Sequence, residues 1–503
     1  MQKHPNILIF MTDNQPAELL GCYGNDEIRT PHIDALAGDG LKFDNAFCVN
    51  GMCSPCRASV MTGLMPSQHG LHTWIDDRLR HLWPDNWNAI EEFETLPEIL
   101  GAAGYHTALI GKYHMGMPDR PQNGFQHWIT SPHGHVTDFW NNEFIENGTL
   151  RSYPGHSVDY FTEQTIQYLE NRLCEEADDA PFFAFVPYNA PYGHWPALKG
   201  RAKNRFRDYY DDVPMHSIPR EGLHENAIVR FLKKAADSGG GIDHSSELRI
   251  PNDLDTLRNY YSEMSMVDDG VGRVLAALKR LDIYDDTLII YTADHGFSLG
   301  HHGIWGHSQA TLPSNAHRAT FSIPLVFRYG QHLVKGTNAD FVSQIDLFPT
   351  ILELAGLETT GHAANSPAKS LTATLHGEIS AHHKEVFLEQ EETRAIRNRQ
   401  WLYKHRFQKA PQPPYPDEMY DLVADPLEKN NLVGNPEYAE IAKDLVSQIN
   451  TFFERYSDQR YDLWTGGTPK SNSDKPWLWQ EAWGEDWAAS FGGKASVADL
   501  DQR

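Results

Sequence analysis

Residues 6–14 of the chain read Asn-Ile-Leu-Ile-Phe-Met-Thr-Asp-Asn, an unbroken apolar run that ends in polar residues. A short apolar run without polar alternation is typical of a strand that is buried on both faces of a sheet. Similar runs, separated by segments with helical spacing, follow at 107–110, 182–186 and 287–291. Strands that alternate with helices indicate βαβ units, so we predict an α/β fold with a large mixed, mostly parallel sheet flanked by helices.

Polar residues follow each of the four apolar runs at the point where the predicted strand ends. They are Asp13 and Asn14, then Lys112 and His114, then Tyr192 and His194, and finally Asp294 and His295. In an open parallel sheet, ligands bind in the crevice outside the carboxyl ends of the strands. We therefore expect these side chains to meet in a single site, although each group taken alone is common in ordinary turns.

The pattern of the sequence divides the chain into three parts. We assign 1–375 to the α/β domain and 376–456 to a smaller C-terminal α+β subdomain with a small antiparallel sheet and a helix. Residues 457–503 form a Trp-rich tail. We expect one of three arrangements for this tail: it packs on its own domain, it docks on another copy of the chain to give a homo-oligomer, or it borders the site. The polar stretch 199–252 is predicted to be an insertion that lies over the surface, including the mouth of the site.

The composition excludes several classes of protein. The chain has 503 residues, of which 40% are hydrophobic and 22% charged, as in ordinary globular proteins. A formal net charge of −25 argues against a nucleic-acid partner, which would need clustered Lys and Arg. No apolar stretch approaches the roughly 18 residues of a membrane span, and the run Ile7–Met11 is too short for a signal peptide. We therefore predict no membrane partner. The odd and small number of cysteines, five, fits a reducing compartment, so we also predict a cytoplasmic location.

Two of the strand ends could together hold a metal ion. Asp13, Asn14, Asp294 and His295 supply two carboxylates, one amide oxygen and one imidazole. Oxygen-rich ligands suit a hard divalent cation, so Ca²⁺ is the first expectation, with Mg²⁺ or Mn²⁺ as alternatives.

Residues 53–59 read Cys-Ser-Pro-Cys-Arg-Ala-Ser and carry the most specific chemistry in the chain. Pro55 suits the first turn of a helix, which puts Cys53 at the helix N-terminus, where free N–H groups and the helix dipole favour an anion. Arg57 adds a guanidinium group that can bind anions with fixed geometry. Cys53 and Cys56 also have the spacing of a C-x-x-C redox motif, which is a distant alternative.

The pattern Cys53-x-Pro55-x-Arg57 resembles the maturation motif of the type I sulfatases, the formylglycine-dependent hydrolases of the alkaline phosphatase superfamily. The resemblance covers most of the chain. Other segments that resemble the family, in the family's order, lie at 5–13, 30–37, 53–70, 104–114, 294–306 and 419–432. Because these motifs occur together and in order, the resemblance is highly specific.

The resemblance implies a mechanism for this chain. In the family a maturation enzyme oxidises the cysteine, here Cys53, to formylglycine, whose hydrate contacts the metal and attacks the sulfur of a sulfate ester. Arg57, Lys112 and the metal would hold the sulfate oxygens. His114 would remove the second hydroxyl proton to expel sulfate, and a histidine across the pocket would protonate the leaving alcohol.

Three positions depart from the usual pattern of the family. Asn14 stands where a second aspartate is usual, and this feature resembles phosphonate monoester hydrolases and choline sulfatases. Tyr192 stands where a histidine is usual, so we expect His194 to supply the imidazole. His307 stands where a lysine is usual; it could act as one only when protonated, and otherwise it is an ordinary loop residue.

We therefore predict a sulfuric ester hydrolase that acts on a sulfated small molecule or saccharide and releases sulfate and an alcohol. The predicted catalytic residues are Cys53, Arg57, Lys112, His114, His194 and His307, and the predicted metal ligands are Asp13, Asn14, Cys53, Asp294 and His295. A phosphonate monoester or phosphodiester hydrolase of the same superfamily is the alternative. A binding protein that has lost catalysis is disfavoured, because the maturation motif is intact.

Overall fold

The structure is a computed structural model that describes residues 4–174, 180–194, 203–221, 224, 253–359, 361–378, 382–409 and 415–489. Within these ranges no helix has both the length and the apolar character that crossing a membrane requires.

The strands found in these ranges are short and mostly buried. They are β1 Asn6–Asp13, β2 Leu41–Phe47, β3 His106–Ile110, β4 His127–Thr130, β5 Trp140–Glu146, β6 Thr149–His156, β7 Phe182–Pro191, β8 Thr287–Ala293, β9 Ser298–Leu299, β10 Trp305–Gly306, β11 Leu325–Arg328, β12 Gly336–Ser343, β13 Glu385–Gln390, β14 Thr393–Asn398, β15 Trp401–Arg406 and β16 Glu418–Asp421.

The α-helices of the same ranges differ widely in length, from single turns to one long helix. They are α1 Pro31–Gly38, α2 Cys53–Thr62, α3 Pro66–His69, α4 Leu96–Ala102, α5 Ser157–Cys174, α6 Leu254–Arg280, α7 Arg318–Phe321, α8 Leu347–Leu354, α9 Thr372–Leu375, α10 Ala439–Tyr456 and α11 Pro476–Trp483.

Ten strands form the main sheet, in the order β12-β2-β11-β8-β1-β7-β3-β4-β5-β6. The central strands β8, β1, β7, β3 and β4 run parallel to one another, and β12 is parallel to β2. β11, β5 and β6 pair antiparallel with their neighbours. The predicted mixed, mostly parallel sheet is confirmed, and the four apolar runs of the sequence form β1, β3, β7 and β8.

Strand β1 shows why its sequence has no polar alternation. Ile7 and Ile9 pack in one hydrophobic cluster with residues of α2, α4 and α8. Leu8 and Phe10 pack on the opposite face with residues of α1, α5 and α6. Since successive side chains of a strand point to opposite faces, a strand between two helical layers must be apolar at every position.

Helix α6 is the longest helix and confirms the helical pattern predicted from about residue 254 to 279. The Asp253 carboxylate caps its first turn by accepting hydrogen bonds from the N–H groups of Asp255 and Thr256. Gly270 allows α5 to approach closely, because a Cβ atom at this position would lie 2.6 Å from Oγ1 of Thr162. This packing forms the helical layer on one face of the sheet.

The C-terminal part has its own antiparallel sheet, in the order β13-β14-β15-β16, covered by α10. Leu445, Ile449 and Phe453 of α10 are buried against this sheet. Val386 and Leu388 of β13 nevertheless belong to the same hydrophobic cluster as α2 and α8. The smaller unit is therefore packed tightly against the main sheet.

The described part of the predicted insertion at 199–252 is not a purely superficial segment. Tyr210 and Met215 are fully buried in the cluster that contains α6. Arg207 donates a hydrogen bond to the Asn259 side chain of α6 at 2.6 Å, and the N–H of His224 donates to the carbonyl of Gly303 at 2.9 Å. Most of the remaining insertion, including 225–252, lies outside the described residues.

The Trp-rich tail packs on its own chain over residues 463–489. Trp479 and Trp487 are buried together with Phe407 and Leu463, and Trp464 lies against this group. The side chain of Thr73 donates to Asp474 at 2.6 Å, which brings the tail next to the segment after α3. Whether the tail also takes part in an oligomer stays a prediction, and 490–503 lie outside the described residues.

Because Trp479 is fully buried in the tail, we expect Trp479→Ala to lower the free energy of unfolding by about 3–5 kcal/mol. Trp477 lies on the same helix but is 40% exposed, so Trp477→Ala should change the free energy by less than about 1 kcal/mol. Urea denaturation of both variants measures the difference. Equal effects would show that the tail does not stabilise the fold through its core.

Candidate functional site

Four parallel strands bring the predicted site residues to one edge of the main sheet. β8, β1, β7 and β3 are neighbours in this order, so their carboxyl ends lie side by side. Asp13 ends β1, and Asp294 follows β8 directly. Lys112 follows β3, and Tyr192 follows β7.

Cys53 lies at the centre of this edge, as the first residue of α2. Its thiol donates to Oδ1 of Asp13 at 3.5 Å and also lies 3.5 Å from Nε2 of His295. The possible ligand atoms of Asp13, Cys53, Asp294 and His295 all lie within 4.8 Å of one another, and the four residues are buried. The structure therefore brings together four of the five residues that the sequence predicted as metal ligands.

Asn14, the fifth, has a conformation and surroundings that fit a ligand. Its φ of +63° lies in the left-handed region, which asparagine tolerates better than most residues. Its N–H donates to Oδ1 of Asp294 at 3.2 Å, and the hydroxyl of Tyr260 donates to its carbonyl. Both polar atoms of its side-chain amide are buried and have no hydrogen-bond partner in the structure. Such a group is costly unless it binds something else, so its amide oxygen fits a metal ion.

His295 presents a lone pair towards the same centre. Its Nδ1 lies 2.7 Å from the carbonyl of Gly296 and donates to it, which leaves Nε2 as an acceptor facing Cys53. Burial lowers the pKa of His295 below its usual value, so the imidazole is neutral. Metal-binding histidines usually have this second hydrogen bond to a carbonyl or a carboxylate.

A buried ion pair joins β1 to the loop after β3. Nζ of Lys112 donates to Oδ2 of Asp13 at 2.6 Å, and both side chains are 1% exposed. Burial raises the pKa of Asp13, but the positive charges of Lys112 and Arg57 lower it by more than burial raises it. The net pKa of Asp13 therefore lies below the usual value. Nζ of Lys112 also lies 5.3 Å from the ring centre of Tyr192.

Arg57 contacts one carboxylate and one backbone carbonyl of the site. Its Nε and Nη2 donate to Oδ2 of Asp294 at 3.2 and 2.8 Å, and its Nη1 donates to the carbonyl of Lys112 at 2.7 Å. The expected contact of Arg57 with sulfate oxygens stays a prediction. In this structure Arg57 holds Asp294 and the backbone of Lys112 in position.

His114 has one fixed and one open ring nitrogen. Its backbone φ is +54°, and its Nε2 donates to the carbonyl of Ile75 at 2.8 Å. Its Nδ1 is buried and has no hydrogen-bond partner in the structure. Burial lowers the pKa of His114 well below its usual value, and the charge of Lys112 lowers it further. The side chain is therefore a neutral imidazole whose Nδ1 can accept a proton.

Two further histidines line the side of the site next to His295. The ring of His194 lies 4.8 Å from that of His307 and 5.5 Å from that of Tyr192. The ring of His307 lies 5.7 Å from that of His295. Burial lowers the pKa of His307 well below its usual value, and His194 and His295 add to this. Burial and the neighbouring histidines therefore favour the neutral form of His307, and its lysine-like role stays a prediction.

Three residues of this region, Gln344, His135 and Asp77, were not predicted from the sequence. Gln344 donates from Nε2 to the carbonyls of Ala293 and Asp294 at 3.1 and 2.7 Å. His135 packs its ring 4.7 Å from that of His114, and its Nδ1 lies 3.7 Å from Oδ2 of Asp77. None of these residues follows a predicted strand or belongs to a recognisable motif, so no sequence signal pointed to them.

The C-x-x-C alternative receives no support from the contacts. The thiol of Cys56 donates to the carbonyl of Asn50 at 2.8 Å, whereas the thiol of Cys53 faces Asp13 and His295. Both cysteines are free. A redox pair would need the two sulfur atoms to face each other.

Comparison with protein families agrees with this geometry. A family model described as sulfatase matches residues 5–357, and a second model, N-sulphoglucosamine sulphohydrolase, C-terminal, matches residues 315–455. The first match covers more than half of the chain and contains every residue of the site. The chain belongs to the sulfatase family. It is thereby a sulfuric ester hydrolase of the alkaline phosphatase superfamily.

Individual proteins resemble this sulfatase along most of its length. An N-acetylglucosamine-6-O-sulfatase of Bacteroides thetaiotaomicron is 28% identical and matches 92% of this chain and 88% of its own. A solved structure of a protein in complex with its substrate D-glucosamine-2-N,6-O-disulfate has a TM-score of 0.72 and 26% identity, and covers 92% of this chain and 99% of its own. A phosphonate monoester hydrolase of Agrobacterium radiobacter has a TM-score of 0.68 and 20% identity, and covers 90% and 96% of the two chains, which shows a common fold.

The buried histidines make the stability of this sulfatase depend on pH. Burial lowers the pKa of His72 from 6.5 to about 4. The unfolded chain binds a proton at His72 as the pH falls through about 6.5, while the folded chain does not, so stability falls as the pH decreases. We expect this residue alone to cost about 3 kcal/mol of unfolding free energy between pH 6.5 and 4.

Urea denaturation at several pH values tests this expectation. The loss of stability at acid pH should be smaller in His72→Gln than in the wild type. His376→Gln is the control, because His376 is exposed whereas His72 is buried. Parallel pH curves for the wild type and His72→Gln would contradict the assignment.

Proposed function

We propose that this sulfatase hydrolyses a sulfate ester with a formylglycine nucleophile made from Cys53, and releases sulfate and an alcohol. The observation that carries the proposal is the position of Cys53. It lies at the N-terminus of α2, next to two carboxylates and the imidazole of His295, and Lys112 is bonded to one of these carboxylates. Free N–H groups at a helix N-terminus and a nearby cation favour a bound anion.

The environment of Cys53 favours a modified residue over a free thiolate. Burial raises the pKa of the Cys53 thiol far above its usual value, and the charge of Asp13 raises it further. A thiol that stays protonated is a poor nucleophile. Formylglycine would supply a hydrate oxygen as the nucleophile in its place, and the maturation motif formed by Cys53, Pro55 and Arg57 is intact. A formylglycine-generating enzyme is thus a proposed partner.

The proposed metal site consists of Asp13, Asn14, Asp294 and His295 together with the modified side chain at position 53. The donor set contains mostly oxygen atoms, and the unpartnered amide of Asn14 supports it. We propose Ca²⁺, with Mn²⁺ or Mg²⁺ as alternatives, because hard cations prefer oxygen ligands and one imidazole is compatible with Mn²⁺. The ion would act as a Lewis acid that withdraws charge from the bound ester.

The other residues of the site have proposed roles that follow from their contacts. Lys112 would bind the sulfate oxygens beside Asp13, and Arg57 would keep Asp294 in position. His114 would accept a proton at Nδ1, because its Nε2 is already bonded to Ile75. His194 would donate a proton to the leaving oxygen, and His307, being neutral, would line the pocket beside it.

A sulfated saccharide is the proposed substrate class. The proteins that resemble this chain over most of its length include an N-acetylglucosamine-6-O-sulfatase and a protein solved with its substrate D-glucosamine-2-N,6-O-disulfate. Trp74, whose ring lies 4.7 Å from that of His135 near His114, offers an aromatic surface for a sugar ring. A cytoplasmic location stays a prediction.

Mass spectrometry of the peptide that contains Cys53 tests the nucleophile. We expect an aldehyde or its hydrate at position 53 in the protein from its native host. Cys53→Ala should abolish turnover and leave the fold intact. Cys56→Ser is the matched control, because Cys56 lies in the same helix but faces Asn50 and is not part of the maturation motif; it should keep the modification and most of the activity. Full activity of Cys53→Ala would refute the proposal.

A phosphonate monoester or phosphodiester hydrolase is the second candidate function. Asn14 favours it, because an amide residue in place of the usual carboxylate is a feature in which this chain resembles the phosphonate monoester hydrolases. The fold and nucleophile would be the same, so only relative turnover separates the two functions.

A panel of aryl, alkyl and carbohydrate sulfates, tested beside phosphonate monoesters and phosphate diesters, decides between them. We expect the highest kcat/KM for a carbohydrate sulfate, because a relative that matches 92% of this chain is an N-acetylglucosamine-6-O-sulfatase. Asn14→Asp should reduce turnover of all anionic substrates, and most strongly of any that carries two negative charges. A kcat/KM for a phosphonate monoester above that of every sulfate would establish the second function instead.

A further inference from the structure

A second cluster of ligand-type side chains lies away from the proposed catalytic residues. Asp346 ends a short helical turn, Gln344–Asp346, immediately before α8 and is fully buried. His382 and His383 lie just before β13, at the beginning of the small sheet, with side chains 4% and 13% exposed. The three side chains come from two segments that are far apart in the sequence.

Both imidazoles point one nitrogen at the same carboxylate. Nε2 of His382 lies 3.0 Å from Oδ2 of Asp346, and Nε2 of His383 lies 3.0 Å from Oδ2 and 3.2 Å from Oδ1. One ligand atom from each residue lies within 4.8 Å of the other two. Ligands bound about 2.0–2.1 Å from a tetrahedral zinc ion are themselves about 3.3 Å apart, so the observed separations match a shared ion.

The carboxylate is held in position by groups other than the histidines. The N–H of Ser343 donates to Oδ2 of Asp346 at 2.8 Å, and the N–H of Lys369 donates to Oδ1 at 2.8 Å. Metal-binding carboxylates are usually fixed by such outer hydrogen bonds. The backbone of His383 is fixed as well, because it forms a bridge with Phe341 of β12.

Among the described residues, no lysine or arginine forms an ion pair with the carboxylate of Asp346. Nζ of Lys369 points to the carbonyl of His382 at 3.3 Å and not to the carboxylate. In the part of the chain that the structure describes, the histidines are the only basic side chains that form an ion pair with Asp346. A divalent cation between the three side chains would compensate the buried negative charge of Asp346.

We propose that Asp346, His382 and His383 form a second metal site that binds a divalent ion of the zinc class. Two imidazoles and one carboxylate are the ligands that zinc prefers, whereas Ca²⁺ and Mg²⁺ prefer oxygen ligands alone. The partly exposed side of His383 leaves room for a water molecule as the fourth ligand. The ion fastens the start of β13 to the start of α8.

The second metal site is also connected to the catalytic pocket through the turn Gln344–Asp346. Gln344 lies two residues before Asp346 in the same turn and holds the carbonyls of Ala293 and Asp294. Loss of the ion is therefore expected to loosen the turn that positions Asp294. The metal site itself is inferred from its own contacts and does not rest on the proposed reaction.

Zinc content provides the first test. The wild type and the variants His382→Ala, His383→Ala and His376→Ala are stripped with a chelator, incubated with zinc, desalted and analysed for bound metal. His376 is the matched control, because it lies nearby on the chain but is exposed and belongs to no cluster of metal ligands in the described residues. The wild type and His376→Ala should retain one zinc ion per chain more than the other two variants.

The affinity of the chain for zinc and the position of the bound ion provide two further tests. Zinc binding to this site should weaken at least about tenfold in His382→Ala and His383→Ala, since each loses one of three protein ligands. Equal zinc content and affinity in all four proteins would overturn the proposal. Crystals of the zinc-loaded wild type, measured at the zinc absorption edge, require no variant: an anomalous peak between the three side chains supports the site, and its absence there refutes it.

The outcome is separate from that of the proposed hydrolysis. Full activity of Cys53→Ala would defeat the catalytic proposal and leave the zinc counts unaffected. Equal zinc counts would defeat the second metal site and leave the role of Cys53 unaffected.

Discussion

The site depends on two buried carboxylates, each of which has its own cation. Asp13 is paired with Lys112, and Asp294 is paired with Arg57. Transfer of an ionised group from water into a protein interior costs several kcal/mol, and a partner offsets that cost only with good geometry and further hydrogen bonds. The four residues come from β1, the end of β8, the loop after β3 and α2, where Asp294 is the residue that directly follows β8, so the pairing of charges also fixes these four elements relative to one another.

The same pairing determines which ligands the pocket can accommodate. Two carboxylates and two cations cancel, the imidazoles of His114, His295 and His307 are neutral, and Asn14 contributes an oxygen without charge. A divalent ion would therefore give the pocket a positive charge, although the whole chain carries a formal charge of −25. A local field of this kind can attract an anion against the charge of the protein as a whole.

Much of the fold and part of the site could be predicted from the sequence, because they depend on local patterns. The apolar runs that became β1, β3, β7 and β8 needed burial on both faces, and the polar residues after them had to meet at one edge. The direction of Arg57 could not be predicted, since its partner Asp294 lies 237 positions away. The same holds for Gln344 and for Asp346 with its two histidines, which belong to no motif and are brought into place only by tertiary packing.

The burial of Cys53 has a consequence for how the protein is made. Its side chain is 2% exposed, and its backbone already belongs to α2 in the folded chain. A modifying enzyme must bring its own catalytic groups around the residue it oxidises, which requires an extended and accessible peptide. If Cys53 is converted to formylglycine, the conversion must therefore come before α2 packs against the main sheet, so the timing of synthesis and folding would decide what fraction of the molecules becomes active.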